Sequence, residues 1–223
     1  MAVKDVVIFD LDRTLISIDS SNKWVDHMCV KGLIKNQEIY RERKQKYDND
    51  YALGKLDIKS AYLSFIEPMI GCDISSLRHE FLSFASHLID KHLYPKARKC
   101  LDYHQERQDE ILLISGCIED IVIPLGLELG LDNDNIIGAK TEKYKNRFTG
   151  KVIEPFSFGT GKCVHFNQWI NKKNKLFGKS HFYSDSIHDA PLLSQVDHAI
   201  CINPDPLLHK KAIEKNWKIE IWD

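Results

Sequence analysis

The sequence predicts an α/β protein, a doubly wound parallel sheet with an all-helical segment inserted after the first strand. Three observations carry this expectation. The short apolar runs Val6-Val7-Ile8-Phe9, Glu110-Ile-Leu-Leu-Ile-Ser115, His181-Phe-Tyr-Ser184 and His198-Ala-Ile-Cys-Ile202 have the length and composition of buried strands. Beyond Pro95 such runs alternate with segments of helical spacing, the order that a parallel sheet requires. Residues 20–92 show helical spacing only, with no convincing strand among them.

Within that insertion, Trp24, Val25 and Met28 mark a first helix, and Tyr40, Tyr47 and Tyr51 recur on a second one rich in Lys, Arg and Glu. Ala61, Phe65 and Met69 mark a third, ending near Pro68, and Leu77, Phe81, Phe84 and Leu88 line a fourth. Gly54 and the Gly71-Cys72-Asp73 turn separate these helices. After it come a helix over 97–107, the strand ending at Ser115, a helix over 118–130 and a strand opening at Ile136. Residues 140–152 alternate around Lys145-Asn146 and read as an antiparallel hairpin. A helix over 160–171, the strand at His181, a short helix over 190–195, the strand at His198, a helix over 207–215 and a last strand near 219–221 complete the chain. The expected division is a core of residues 1–16 and 93–223 and a helical cap of residues 17–92.

Composition narrows the function classes. The 223 residues are 43% hydrophobic, enough for one core plus a modest insertion. Thirty-one basic against 32 acidic residues leave a formal charge of −1, so neither nucleic acid nor a membrane surface is called for as partner. The basic clusters at 41–46 and 172–175 read as solvated helix faces or turns. No run approaches the roughly 20 apolar residues of a membrane span, and the N-terminus leads into a charged residue and a strand rather than a signal peptide. The six cysteines lack paired spacing, which disfavours a zinc site and fits reduced thiols in the cytoplasm.

Four segments end strands or open helices on what should be one edge of the sheet, the edge where open α/β folds bind ligands. The first is Asp10-Leu-Asp12-Arg-Thr14. Two acids two residues apart on extended backbone point the same way, and they repel unless a cation or a proton lies between them. The second is Ile114-Ser115-Gly116, a hydroxyl beside a glycine whose N–H can approach a ligand closely. The third is Gly159-Thr-Gly161-Lys162, a lysine opening a helix, where its charge opposes the dipole and argues for an anion nearby. The fourth is Tyr183-Ser-Asp185-Ser-Ile-His-Asp189. Singly, these are strand ends, turns and caps; their conjunction points to chemistry.

The order and spacing of these motifs resemble the haloacid-dehalogenase superfamily of phosphotransferases, and within it the phosphoserine-phosphatase-like branch (subfamily IB). The likeness spans nearly the whole chain, including the helical insertion, the hairpin and Asn203-Pro-Asp-Pro206. It implies a Rossmann-like core with a helical cap and Mg²⁺-dependent hydrolysis of a small phosphorylated metabolite through an aspartyl-phosphate. Asp10 is then the nucleophile, and Asp12 the acid and later the base. Ser115, Gly116 and Lys162 grip the phosphoryl oxygens. The Asp10 and Asp185 carboxylates and the Asp12 carbonyl hold Mg²⁺. Thr14 is expected to buttress the loop and Asp12, and Asp189 to order a metal-bound water or Lys162.

The sequence departs from the family at Arg13 and Tyr183, where glycine is usual, and Arg13 is expected to face away from the phosphate. Asp19 falls where related enzymes pair with a substrate amine. The position of their carboxylate-binding cap arginine, counted from Gly54-Lys-Leu-Asp, is Leu63. The resemblance therefore favours an amine-bearing substrate without a carboxylate, such as histidinol phosphate, over phosphoserine. Phosphoserine phosphatase, a phosphomutase and a phospho-ligand-binding regulatory protein are the alternatives. Trp24, Tyr47 and Tyr51 are assigned to core or pocket wall, with core favoured on helical spacing.

Overall fold

The computed structural model describes residues 3–34 and 36–223. Six strands form one parallel sheet: β1 (Val6–Phe9), β2 (Glu110–Ile118), β3 (Ile136–Ala139), β6 (Ser180–Ser184), β7 (His198–Ile202) and β8 (Lys218–Glu220), in the order β3-β2-β1-β6-β7-β8. A separate antiparallel hairpin joins β4 (Thr141–Tyr144) to β5 (Arg147–Val152). Strand β1 pairs with β2 on one side and β6 on the other. The order reverses there, which makes its C-terminal end the switch point where α/β sheets open a ligand crevice.

Between β1 and β2 the chain forms α1 (Ser20–Val30), α2 (Gln37–Ala52), α3 (Ile58–Ile66), α4 (Ile74–His92) and α5 (Pro95–Glu106). Later come α6 (Glu119–Glu128), α7 (Thr160–Lys173), α8 (Ala190–Leu193) and α9 (Pro206–Lys215). Helices α1, α3, α4 and α9 each start on an aspartate, Asp19, Asp57, Asp73 and Asp205, whose carboxylate takes otherwise unpaired first-turn N–H groups.

Side chains alternate across β1, so Val7 and Phe9 enter one apolar cluster and Val6 and Ile8 the other. The second cluster is covered by Phe166 and Trp169 of α7 and by Leu208 and Ala212 of α9. The first continues without a break into Trp24 and Met28 of α1 and Leu77, Phe81, Phe84 and Leu88 of α4. Trp24 is core: its ring stacks on Phe81 at 4.5 Å and meets Phe84 edge-on at 5.2 Å.

The expected buried stripe on α3 is displaced. Tyr62, Ile66 and Met69 are buried, while Ala61 and Phe65 are half-exposed and line the pocket. Strand β2 runs past its expected end at Ser115 to Ile118, with its register against β3 slipping between Ile114 and Ile118. That irregularity lies where Ser115 and Gly116 turn toward the crevice.

The turn between α3 and α4 is stitched to the hairpin: Gly71 N–H donates to the Phe148 carbonyl at 2.9 Å and Ile74 N–H to that of Asn146 at 2.9 Å. Arg147 donates to the Gly71 carbonyl at 2.6 Å. Helix α2 contrasts with its neighbours, for none of its sixteen residues is buried.

Candidate active site

Asp10 directly follows β1, is 7% exposed, and one of its oxygens accepts from the Lys162 ammonium at 2.6 Å. Lys162 reaches it from the first turn of α7, whose start depends on two glycines. Gly159 adopts φ +54°, and a Cβ on Gly161 would lie 1.8 Å from the Phe156 carbonyl oxygen. The ammonium also donates to Asp189 at 2.7 Å, and Asp189 accepts from the Ser184 hydroxyl at 2.7 Å. Burial alone lowers the Lys162 pKa, but the two carboxylates outweigh it and hold the group above its ordinary value.

Thr14 connects the first and fourth motifs. Its hydroxyl lies 3.2 Å from Asp10 and 3.2 Å from Asp185, with one proton to give, and it accepts from the Asp185 N–H at 3.1 Å. The expected contact from Thr14 to Asp12 is not what forms. Asp12 is held by Ser20, whose N–H and hydroxyl donate to its two oxygens at 2.7 and 3.0 Å. Ser20 opens α1 directly after the Asp19 cap, so its backbone N–H is one of those left without a helical partner.

Electrostatics follow from crowding. Asp10, Asp185 and Asp189 crowd around the Lys162 ammonium, with the Arg13 guanidinium also drawn to Asp185, and Asp12 adds a fourth carboxylate beside Asp10. Burial and the neighbouring Asp189, against the pull of Lys162, push the Asp10 carboxyl up to about 6. Burial and then Asp10 push Asp185 well above the usual carboxylate range, and burial followed by Asp19 and Asp10 does the same to Asp12. Such a cluster is relieved by a cation. Asp10 and Asp185, bridged by Thr14, could supply hard oxygen donors of the kind that Mg²⁺ prefers, with the Asp12 carbonyl the expected third. Among the described residues no three His, Cys, Asp or Glu side chains are gathered as a metal cage; the expected set needs two carboxylates and a carbonyl, with water completing the shell.

Ser115 is 1% exposed and its oxygen accepts from the Cys117 N–H at 3.1 Å, which leaves its own proton to give. The flanking peptides are fixed by Tyr62, which donates to the Gly116 carbonyl at 2.6 Å, and by Ser157, which donates to that of Ser115 at 2.6 Å. A Cβ at Gly116 would press on the Phe158 ring at 3.3 Å.

Asp10, Asp12, Ser115, Gly116, Lys162 and Asp189 line one cavity of about 180 Å³, whose outer wall comes from α2 and α3. Three expectations are corrected there. Arg13 does not face away: at φ +58° it lines the cavity, 4.0 Å from Asp19 and 5.7 Å over the Tyr51 ring. Leu63 points outward at 48% exposure, so the substrate argument built on it lapses. Tyr47 and Tyr51, for which core was favoured, line the cavity instead; Arg43 and Lys44 stay part-exposed, as a solvated helix face would, and line it too, as does Asp48. Asp19 reaches the cavity as expected, while its other oxygen caps α1. Sequence reasoning missed Ser20, Tyr62, Asp48 and His188; of these only Ser20 had a local signal, its place after a capping aspartate.

A family model described as haloacid dehalogenase-like hydrolase matches residues 7–194. The histidinol-phosphatase of Neisseria meningitidis serogroup C is 36% identical over 222 residues, 97% of this chain and 98% of that protein. Phosphoserine phosphatase SerB1 of Mycobacterium tuberculosis is 25% identical over 220 residues, 95% of this chain and 68% of that protein. The crystal structure of a protein of unknown function from Bordetella pertussis Tohama I superposes with a TM-score of 0.88 at 27% identity, covering 98% of each chain.

Proposed function

We propose, from the premise that this chain belongs to the haloacid dehalogenase-like hydrolases and is a phosphatase among them, that it is a Mg²⁺-dependent phosphomonoesterase working through an aspartyl-phosphate. Its substrate is a small phosphorylated metabolite with a cationic end, of the histidinol phosphate kind. The observation that carries the reading is the junction at Asp10, where one oxygen meets Lys162 and the other meets Thr14 beside Asp185.

In that reading Asp10 attacks phosphorus, the ester P–O bond breaks, and Asp12 gives its proton to the departing oxygen. Burial and the neighbouring Asp19 and Asp10 carboxylates raise the pKa of the Asp12 carboxyl, which favours its protonated form. Ser20 fixes its orientation through both oxygens. Asp12, now ionised, takes a proton from the water that cleaves the aspartyl-phosphate, which restores both groups. The Ser115 hydroxyl, the Gly116 N–H and the Lys162 ammonium hold the phosphoryl oxygens where charge accumulates. Mg²⁺, held by Asp10, Asp185 and the Asp12 carbonyl, would supply charge neutralisation on the same oxygens. The core of residues 1–16 and 93–223 carries this chemistry and residues 17–92 cover it.

Support for the cationic end comes from Asp19 and Asp48 on the cavity wall among Tyr40, Tyr47 and Phe65, and from the relative in Neisseria. A second reading, phosphoserine hydrolysis, is favoured by Arg13, Arg43 and Lys44 on the same wall, any of which is a partner for a carboxylate. A panel of histidinol phosphate, phosphoethanolamine, phosphoserine and p-nitrophenyl phosphate with Mg²⁺ decides between them. The cationic esters are expected to lead in kcat/KM by about tenfold or more. Phosphoserine in front would install the second reading instead.

Metal dependence has a readout apart from turnover. Millimolar Mg²⁺ should raise the thermal midpoint of the metal-free protein by several degrees, because it relieves the repulsion between Asp10 and Asp185; EDTA should reverse the gain. An unmoved midpoint would remove the metal from the site. The six thiols are free, which supports a reducing compartment such as the cytoplasm. No helix among the described residues is long and apolar enough to cross a membrane.

A further inference from the structure

We propose that Tyr51 is a positioning residue through which α2 is seated over the cavity and the Asp185–Asp189 loop is held in place beside Asp10, a role that rests on the phosphatase reading above.

Helix α2 has sixteen residues and no buried one. Tyr40 alone of them packs against the first apolar cluster among the described residues, and polar contacts such as Arg43 to Glu67 and Asn22 to Asp48 hold the rest. Yet it forms much of the cavity wall, through Tyr40, Tyr47 and Tyr51 among others. Two of these tyrosines bond within the insertion: Tyr40 donates to Glu67 at 3.0 Å and Tyr47 to the Ser60 carbonyl at 3.2 Å. Tyr51, in the last turn of α2, crosses to the sheet side. Its hydroxyl donates to the Ser186 hydroxyl oxygen at 2.7 Å, and Ser186 directly follows Asp185.

The same residue makes three further contacts. Its ring lies 4.5 Å from His188 and 6.3 Å from Phe158, and the Arg13 guanidinium sits 5.7 Å over it. His188 Nε2 lies 3.1 Å from the Tyr51 carbonyl oxygen. One side chain thereby touches the loop after β1 through Arg13, the segment before α7 through Phe158, and the loop after β6. These are three of the four segments that carry the motifs. Tyr62 of α3 makes a comparable bond to Gly116 but is itself 5% exposed within the first apolar cluster, so packing already fixes it. The other tethers of α2 named above end within the insertion, so Tyr51 ties it to the loop after β6 where packing does not.

Ser186 is buried, and its oxygen also accepts from the His188 N–H at 3.3 Å. The Tyr51 hydroxyl therefore stabilises a turn in which Asp185 and Asp189 stand on either side of Ser186–His188. Removing that hydroxyl leaves the turn free to shift relative to Asp10, and a misplacement of even about 1 Å is costly in catalysis.

The test is a double-mutant cycle on p-nitrophenyl phosphate with Mg²⁺, using Tyr51→Phe, Ser186→Ala and the double variant, with thermal midpoints recorded for each. Tyr51→Phe and Ser186→Ala are each expected to lower kcat about tenfold, with KM within about twofold and midpoints close to wild type. The double variant should also fall about tenfold, because both changes remove one shared bond. Tyr51→Ala, which removes the ring as well, should raise KM and open the α2 residues Arg43, Lys44 and Lys46 to trypsin. A kcat for Tyr51→Phe within about twofold of wild type, or a double variant down about a hundredfold, overturns the proposal while the phosphatase reading stands. A wild-type protein without turnover on any ester overturns that reading and this proposal with it.

Discussion

Asp10→Asn is expected to lower phosphomonoester turnover by about a thousandfold or more while leaving a folded protein. Asparagine fills the same space and can still face Thr14 and Lys162, but its amide does not attack phosphorus. Stability should not fall with activity. Lys162 keeps its bond to Asp189, and Asp185 loses the neighbouring carboxylate that, after burial, contributes most to raising its pKa. The metal-free variant should therefore melt at or above the wild-type temperature, and its midpoint should respond less to Mg²⁺. Kinetics on the leading ester and melting curves with and without metal check both halves. Retention of a tenth or more of wild-type kcat would remove Asp10 from the nucleophile's role.

Lys162→Met separates activity from stability in the opposite sense. The ammonium is 3% exposed and bonds two carboxylates that are themselves nearly buried. Methionine matches its length without charge, so Asp10 and Asp189 lose their shared cation. Breaking a buried pair in this way costs on the order of 3–5 kcal/mol. Turnover should also fall by about a hundredfold or more, since the cation proposed to hold the phosphoryl oxygens is lost at the same stroke. The sign of the pH effect follows from the raised Lys162 pKa: its stabilisation is complete at neutral pH and fades only as pH climbs past the ordinary lysine range near 10. Urea titrations at pH 7 should show the full deficit between variant and wild type. A Lys162→Met protein as stable as wild type would mean that the native fold does not rely on this cation to hold the two carboxylates.

The sheet was legible because its strands are apolar on both faces and short, a pattern that survives any packing detail. The four motifs were legible because each sits at a strand end or helix start, where local sequence alone dictates direction. What escaped was whatever depends on which face of a helix turns inward. The α3 stripe slipped by one residue because Ala61, Phe65 and Met69 share helical spacing with the neighbouring Tyr62, Ile66 and Met69, and only the fold decides between adjacent faces. Tyr51 and Tyr47 read as core for the same reason, whereas Trp24 on similar spacing is core. Arg13 was misjudged because its left-handed backbone turns the side chain toward the cavity, and nothing in five residues of sequence states that φ. Thr14 departed from its expected partner Asp12 for a long-range reason: the Asp185 that it meets lies 171 residues away.

The place of β1 in the sheet bears on how the polypeptide is made. Its two neighbours, β2 and β6, begin at Glu110 and Ser180, so both are synthesised well after it. A nascent chain therefore carries Val6–Phe9, with the Asp10 carboxylate beside them, as an unpaired segment until β2 and β6 have been made. Late enclosure leaves that segment open to chaperones, and a chain that stops before β6 lacks Asp185 and leaves one side of β1 unpaired.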